Sequence, residues 1–199
     1  MKPPVLDMKK FSLFIYILAG IMSFSQSKNE REVRVKPSEF PEVTSTYFNN
    51  FIKELKYLKF YRETDGDKVS YETKLKTQGF HFSIEFDTLG KLEDIEIVIK
   101  EKHIPKTIKA KIGGYFETHY NHVRFIKIQK QFVNSGMKPD KQFIQMVVEN
   151  PNKMPDNFEI IAETKKKKDR QLSEFTFRSN GQFIKARHVT SSSYSHALY

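Results

Sequence analysis

The amino-acid sequence predicts an α+β protein built from two tandem units, each a helix packed on one face of a four-stranded antiparallel sheet. Three observations lead there. The heptad Phe86-Asp87-Thr88-Leu89-Gly90-Lys91-Leu92 returns as Phe177-Arg178-Ser179-Asn180-Gly181-Gln182-Phe183, each time a strand end, a tight turn with Gly at one fixed place, and a strand start. Ahead of each heptad lies a proline-started amphipathic segment, opening at Phe40-Pro41 and again at Ile104-Pro105. Between these run segments where apolar and polar residues alternate with the period of two that a half-buried strand requires. Such a sheet must cover one face, and a single amphipathic helix is about the right size to do so.

Each element follows in order. Residues 26–39 are charged and aperiodic and read as a flexible lead-in. The first unit, 40–102, opens with a helix from Pro41 to about Leu55, on which Phe48, Phe51, Ile52 and Leu55 recur at helical spacing. Tyr57 to Thr64 forms a strand with Leu58 and Phe60 on one face, Lys59 and Tyr61 on the other. Asp65-Gly66-Asp67 is a hairpin turn, since Gly accepts the positive φ the turn needs. Strands Lys68 to Thr77, Phe80 to Phe86 and Leu92 to Lys100 complete the meander.

The second unit, 103–189, repeats the plan. Its helix carries Ile108, Ile112, Tyr115, Phe116 and His119, with Gly113-Gly114 weakening it by about 1 kcal/mol per Gly and admitting a break there. Strands follow at Val123 to Phe132, Phe158 to Lys165, Gln171 to Phe177 and Gln182 to Val189. The helix openings match at an offset of 64 and the heptads at 91, so this unit holds 27 additional residues, at about 133–157. They contain Asp140 as a helix cap and then Phe143, Ile144, Val147 and Val148, a short amphipathic helix on a long loop. Residues 190–199 read as a disordered tail.

Composition narrows the setting. The 199 residues include 18 Phe and no Trp, and the formal net charge is +10, which favours attraction to anionic surfaces. Cysteine is absent, which excludes disulfides, thiolate zinc sites and cysteine nucleophiles. Met8-Lys9-Lys10, the apolar run Phe11 to Met22 and the small-residue site Ser23-Phe24-Ser25 make residues 1–25 a secretory signal peptide, cleaved near Ser25. The apolar run is too short for a span that needs roughly 20 residues. A periplasmic or secreted protein is expected, with no transmembrane span in the mature chain.

The motifs do not point to catalysis. His119 and His122 could reach one metal, but no carboxylate ligand accompanies them. Asp65-Gly66-Asp67 lacks the alternating oxygen ligands of a calcium loop. Glu93, Asp94 and Glu96 lie on a strand and read as exposed surface. No Gly-x-Ser-x-Gly elbow or phosphate-binding glycine loop occurs. No metal and no cofactor is expected. The run Lys165, Lys166, Lys167, Lys168, Asp169, Arg170 reads as a solvated hairpin tip, or as a dock for anionic envelope components. Nucleic acid is not an expected partner, because export removes the usual targets and no aromatic residue is interleaved with the run.

The helix opening with Pro105, the strand Val123-Arg124-Phe125-Ile126-Lys127-Ile128, the strand Phe158-Glu159-Ile160 and the aromatic-x-x-x-Gly turns at Phe86 and Phe177 resemble secreted PepSY-like proteins. That family is similar to the β-lactamase-inhibitor protein fold. The resemblance spans about 40–189 and implies a tandem of helix-plus-sheet units in a Gram-negative envelope, used to bind another protein. Two departures stand out: the cysteines of the inhibitor are missing, and the 133–157 insertion is not part of the minimal pattern. No inhibitory residue carries over.

The expectation is an exported, non-enzymatic binding module that takes an unknown protein or envelope component on an open sheet face, as an inhibitor or regulator. Lys59 and Tyr61 in one unit, Phe125 and Lys127 in the other, are the candidate contacts, because aromatics beside cations offer contact area at small entropy loss. Two alternatives stand beside it. One is electrostatic attachment through Lys165–Arg170. The other is an unrecognised periplasmic hydrolase, which requires a concave pocket with convergent, perturbed titrating groups.

Overall fold

Strand alternation is strict in the middle of the chain. Phe82, Ile84 and Phe86 are buried on one face of their strand, and Ile95, Ile97 and Ile99 on one face of the next. The computed structural model describes residues 27–48, 55 and 57–190. The predicted signal peptide, the C-terminal part of the first helix with Phe51 and Ile52, and the tail beyond Thr190 lie outside the described residues.

The strands are β1 (Ser27–Lys28), β2 (Glu30–Arg34), β3 (Leu58–Asp65), β4 (Lys68–Thr77), β5 (Phe80–Phe86), β6 (Leu92–Ile99), β7 (His122–Phe132), β8 (Asn157–Lys166), β9 (Asp169–Arg178) and β10 (Phe183–Val189). The helices are α1 (Glu42–Phe48), α2 (Lys106–His119) and α3 (Asp140–Glu149). From β3 to β10 the chain is one antiparallel meander.

The predicted pair of helix-plus-four-stranded units does not form, and the reason lies in the segment read as a flexible lead-in. β1 pairs in parallel with β10, and β2 pairs antiparallel with β3. Only Asn29 separates β1 from β2, so one continuous strand satisfies both open edges of the meander. The result, among the described residues, is a single ten-stranded mixed sheet, nearly closed like a barrel, with three short helices. Salt bridges and hydrogen bonds tie the seam. Arg187 Nη1 of β10 lies 3.1 Å from Asp65 Oδ2 of β3, and the Asn29 amide donates to Asp65 Oδ1 at 2.8 Å. The charged, aperiodic composition misleads here because the charged side chains of 27–34 are what the seam requires.

The apolar core lies outside the ring, between sheet and helices. Phe48 of α1, Ile112 and Phe116 of α2, and Phe143, Ile144 and Val147 of α3 pack with Phe86, Ile97, Phe158, Ile160, Phe175 and Phe177 of the sheet. α2 continues through Gly113 and Gly114 without a break, because Ile108, Ile112 and Phe116 pin it on either side. In α3, Asp140 does not cap its own helix. Its carboxylate accepts from the Leu92 amide at 3.0 Å and from Asn134 Nδ2 at 2.7 Å, tying the insertion to the start of β6. Lys130 is buried and donates to the carbonyls of Pro151 and Lys153 at 3.1 and 2.9 Å, which fixes the loop after α3.

Candidate functional site

With the apolar face of each strand committed to the helices, ring closure turns the opposite face inward. That face is charged. In β4, β5, β6, β8 and β9 one glutamate sits between two core-facing residues: Tyr71-Glu72-Thr73, Ile84-Glu85-Phe86, Ile95-Glu96-Ile97, Phe158-Glu159-Ile160 and Ser173-Glu174-Phe175. Glu30 and Glu32 from the closing strand, Glu63 and Asp94 join them. Cations on the same face include Lys28, Lys59, Lys74, Lys127 and Arg187, and around the central cavity six glutamates face Lys28, Lys74 and Lys127. A cavity of about 30 Å³ remains between Glu30, Glu32, Glu63, Glu72, Lys74 and Glu85, room for one or two waters or an ion.

Two clusters organise the interior. At the seam, Lys28 Nζ donates to Glu174 and lies 2.7 Å from Glu30 Oε1, while Arg187 Nη2 reaches Glu174 Oε1 at 2.8 Å. Burial alone would raise the Glu174 pKa, but Lys28 and then Arg187 outweigh it and hold the carboxyl down at about 2. The same contacts hold Lys28 well above its usual range against its own burial. On the other side, Lys74 Nζ donates to both oxygens of Glu32, at 2.8 and 2.7 Å, and stands 3.2 Å from Glu72 Oε2. Ser83 donates to Glu72, and Gln129 donates to Glu96.

The remaining acids lack such help. Glu63 is 5% exposed and has no hydrogen bond or ion pair among the described residues. Burial, with Glu30 and Glu72 nearby, pushes it up to about 9. Burial and then Glu96 push Asp94 up to about 7; its Oδ2 accepts from Gln131 at 2.8 Å while its Oδ1 finds no donor. Glu85 and Glu159 are raised well above the usual carboxylate range, chiefly by burial. One carboxylate oxygen from each of Glu32, Glu63 and Glu72 lies within 4.8 Å of the others.

The residues proposed from sequence are divided by this geometry. Lys59 and Tyr61 share the inward-turned face with Glu63, Lys59 over the Tyr57 ring at 4.5 Å and Lys74 over the Tyr61 ring at 5.0 Å. Phe125 does not stand outward beside Lys127. The register of β7 on β8 passes from Phe125↔Ala162 to Lys127↔Ile161, so a bulge at Ile126 sends the two side chains to opposite faces. Phe125 packs on Phe116, with ring centroids 5.2 Å apart, and Lys127 enters the interior. The open sheet face expected from the sequence is therefore absent, because closure at 27–34 encloses it.

What is open is a gap in the ring. β6 pairs with β7 only through Ile95–Ile99, so residues 122–127 of β7 are in the ladder with β8 alone. A groove of about 700 Å³ lies beside that stretch, lined by Tyr57, His81, Val98, Lys100, Phe125 and Lys127. Val98 is 39% exposed there.

The other sequence features have local partners. Lys165 to Arg170 forms the β8–β9 hairpin tip; the Lys167 amide, at φ 56°, donates to Asn121 Oδ1, and Arg170 pairs with Glu163 at 2.6 Å. His119 stacks on Tyr115 at 4.3 Å and contacts its carbonyl at 2.7 Å. Asp94 and Glu96, read as exposed strand surface, are part of the interior. The recurring acid between two core residues was the signal for the interior site, and it becomes meaningful only once the sheet is known to close.

Fold and site together define a β-rich protein with an inverted plan, polar inside the curled sheet and apolar outside it beneath helices. No family model matches the chain, and no curated protein matches it. Among solved structures it is similar to a DUF2874 family protein from Bacteroides ovatus, with a TM-score of 0.50 and 9% identity over 75% of this chain and 87% of that one. That likeness concerns the fold alone. A second structure, described as a candidate calcium-regulated periplasmic protein from Bacteroides thetaiotaomicron, aligns at 17% identity over 78% of this chain and 95% of that one, with a TM-score of 0.28. Among the described residues no helix is long and apolar enough to cross a membrane.

Proposed function

We propose that this chain is an exported, non-enzymatic binding protein that takes an extended polypeptide segment into the gap between β6 and β7. The observation that carries this is the half-paired stretch 122–127 of β7 beside a groove of about 700 Å³. A strand paired on one side presents unmatched amides and carbonyls, and an incoming extended segment satisfies them while its alternate side chains enter neighbouring pockets. Val98, Tyr57 and Phe125 supply an apolar floor, and Lys100, Lys127 and nearby Lys59 outnumber Glu101 among the charges around it. The preferred segment therefore carries an apolar residue flanked by acids.

The interior carboxylates have the perturbed character a hydrolase would use, but the cavity they enclose, about 30 Å³, favours a water or an ion over a substrate. The larger groove brings together no pair of carboxylates. Export rests on residues 1–25 and on the resemblance to secreted PepSY-like proteins.

Panning a random peptide library on the purified protein tests the reading. The expected result is enrichment of extended apolar-acidic peptides that slow amide exchange at 124–127 and bind at least about tenfold more weakly to Val98→Lys. Val98 is the residue to change, since Phe125 also holds the core. Peptides that bind Val98→Lys equally well and leave exchange at 124–127 unaltered would remove this gap from consideration.

A further inference from the structure

We propose that the interior of the ring binds a divalent cation of the calcium class through Glu32, Glu63 and Glu72. The three acids come from adjacent strands in fixed register. Glu32 stands directly opposite Glu63, and Glu72 is opposite Tyr61, the next inward-facing residue along β3. Like charges set directly across a ladder destabilise it, so the arrangement requires something to offset it. One carboxylate oxygen from each lies within 4.8 Å of the others, and oxygens that share an ion at about 2.4 Å can be no farther apart than about 4.8 Å.

A second observation points the same way. Glu63 is nine-tenths buried and faces this cluster with no hydrogen bond or ion pair of its own among the described residues. Buried polar groups are almost always partnered, so a bare carboxylate here calls for an unseen partner. Lys74 does not fill that role: its ammonium is committed to both oxygens of Glu32 and to Glu72. Once Glu63 releases its proton, three carboxylates and one ammonium leave a charge of two, which one divalent ion neutralises. The adjoining cavity of about 30 Å³ has room for the ion or for a water completing its shell. Ligands that are all carboxylate oxygen, with no nitrogen or sulfur donor, select a hard cation; the spacing and flexible shell suit calcium better than magnesium, which demands near-ideal octahedral geometry.

The rival occupant is a proton on Glu63, and the experiment separates the two. Calorimetric titration of the chelator-treated protein with calcium chloride at neutral pH, together with thermal melts, is carried out on the wild type, Glu63→Gln and Glu72→Gln. The expected result is saturable binding and a rise in Tm of several degrees at about 1 mM calcium, with little response to magnesium. Glu63→Gln keeps the side-chain shape, removes the bare charge, and is expected to melt higher than the wild type without calcium while losing at least about tenfold in calcium affinity. Glu72→Gln, with its Ser83 contact retained, is expected to weaken binding similarly. A wild type that neither binds calcium nor melts higher in it, beside a stabilised Glu63→Gln, would show that the proton is the partner and would overturn the site.

Discussion

Asp94 shows how a single side chain on the inward face responds to its surroundings. In the folded chain burial and Glu96 push its pKa up to about 7, so the fold retains a proton that the unfolded chain releases near pH 4. Between those values the native state binds more protons than the unfolded state, and stability falls as pH rises from about 4 to about 7. Asp94→Asn keeps the acceptor for Gln131 and removes the charge. It is expected to stabilise the protein by roughly 2 kcal/mol more at pH 8 than at pH 5, read from urea midpoints at the two pH values. An equal effect at both would show that Asp94 is ionised throughout. Glu174 runs the opposite way: with its pKa held at about 2, its contribution is present above the ordinary carboxylate range and is lost as pH falls toward 2.

At the scale of elements, the repeated heptads build the same turn twice. The Gly90 amide donates to the Asp87 carbonyl at 3.0 Å, and the Gly181 amide donates to the Arg178 carbonyl at 2.8 Å, with φ of +79° and +85°. Both glycines are crowded by a helix: a Cβ on Gly181 would lie 3.0 Å from Lys111 Cβ of α2. A Cβ on Gly90 would collide with Val43 and Pro41 at the start of α1. The hairpin residue Gly66 also has positive φ, but open space surrounds it. Gly90→Ala is therefore expected to cost about 3 kcal/mol, from left-handed strain plus overpacking, and Gly66→Asn to stay within about 0.5 kcal/mol of the wild type. Urea midpoints with unchanged slopes check both. The turns, the strands β3 to β10 and the faces of α2 and α3 were legible in the sequence because local spacing dictates them. The bulge at Ile126 was not, since nothing in Phe125-Ile126-Lys127 marks an extra residue without its partner strand.

At the scale of the molecule, the segment 27–34 carries a weight its composition conceals. It pairs with both edges of the meander and delivers Lys28 to Glu174, which is 1% exposed. A protein lacking residues 27–35 would leave that carboxylate short of a cation, at about 3–5 kcal/mol, and would expose the β3 and β10 edges. The expected outcome is a Tm lower by about 10 °C and self-association in sedimentation experiments. A monomer with an unchanged Tm would mean that the ring is held by its meander alone.

The sequence by itself determined the strands from 57 to 189, their apolar faces, the two matched turns and the helix within the insertion, because period-two and helical patterns, glycine and proline act over a few residues. The same alternation sets an acid opposite the core face in β4, β5, β6, β8 and β9. Only the tertiary structure decided where those acids go. An alternating strand states that its two faces differ, but not which face will meet water. That choice came from residues 27–34, whose backbone groups found partners at both ends of a distant meander. Their closure converted the predicted open binding face into a charged interior and left a gap beside β7 as the accessible edge.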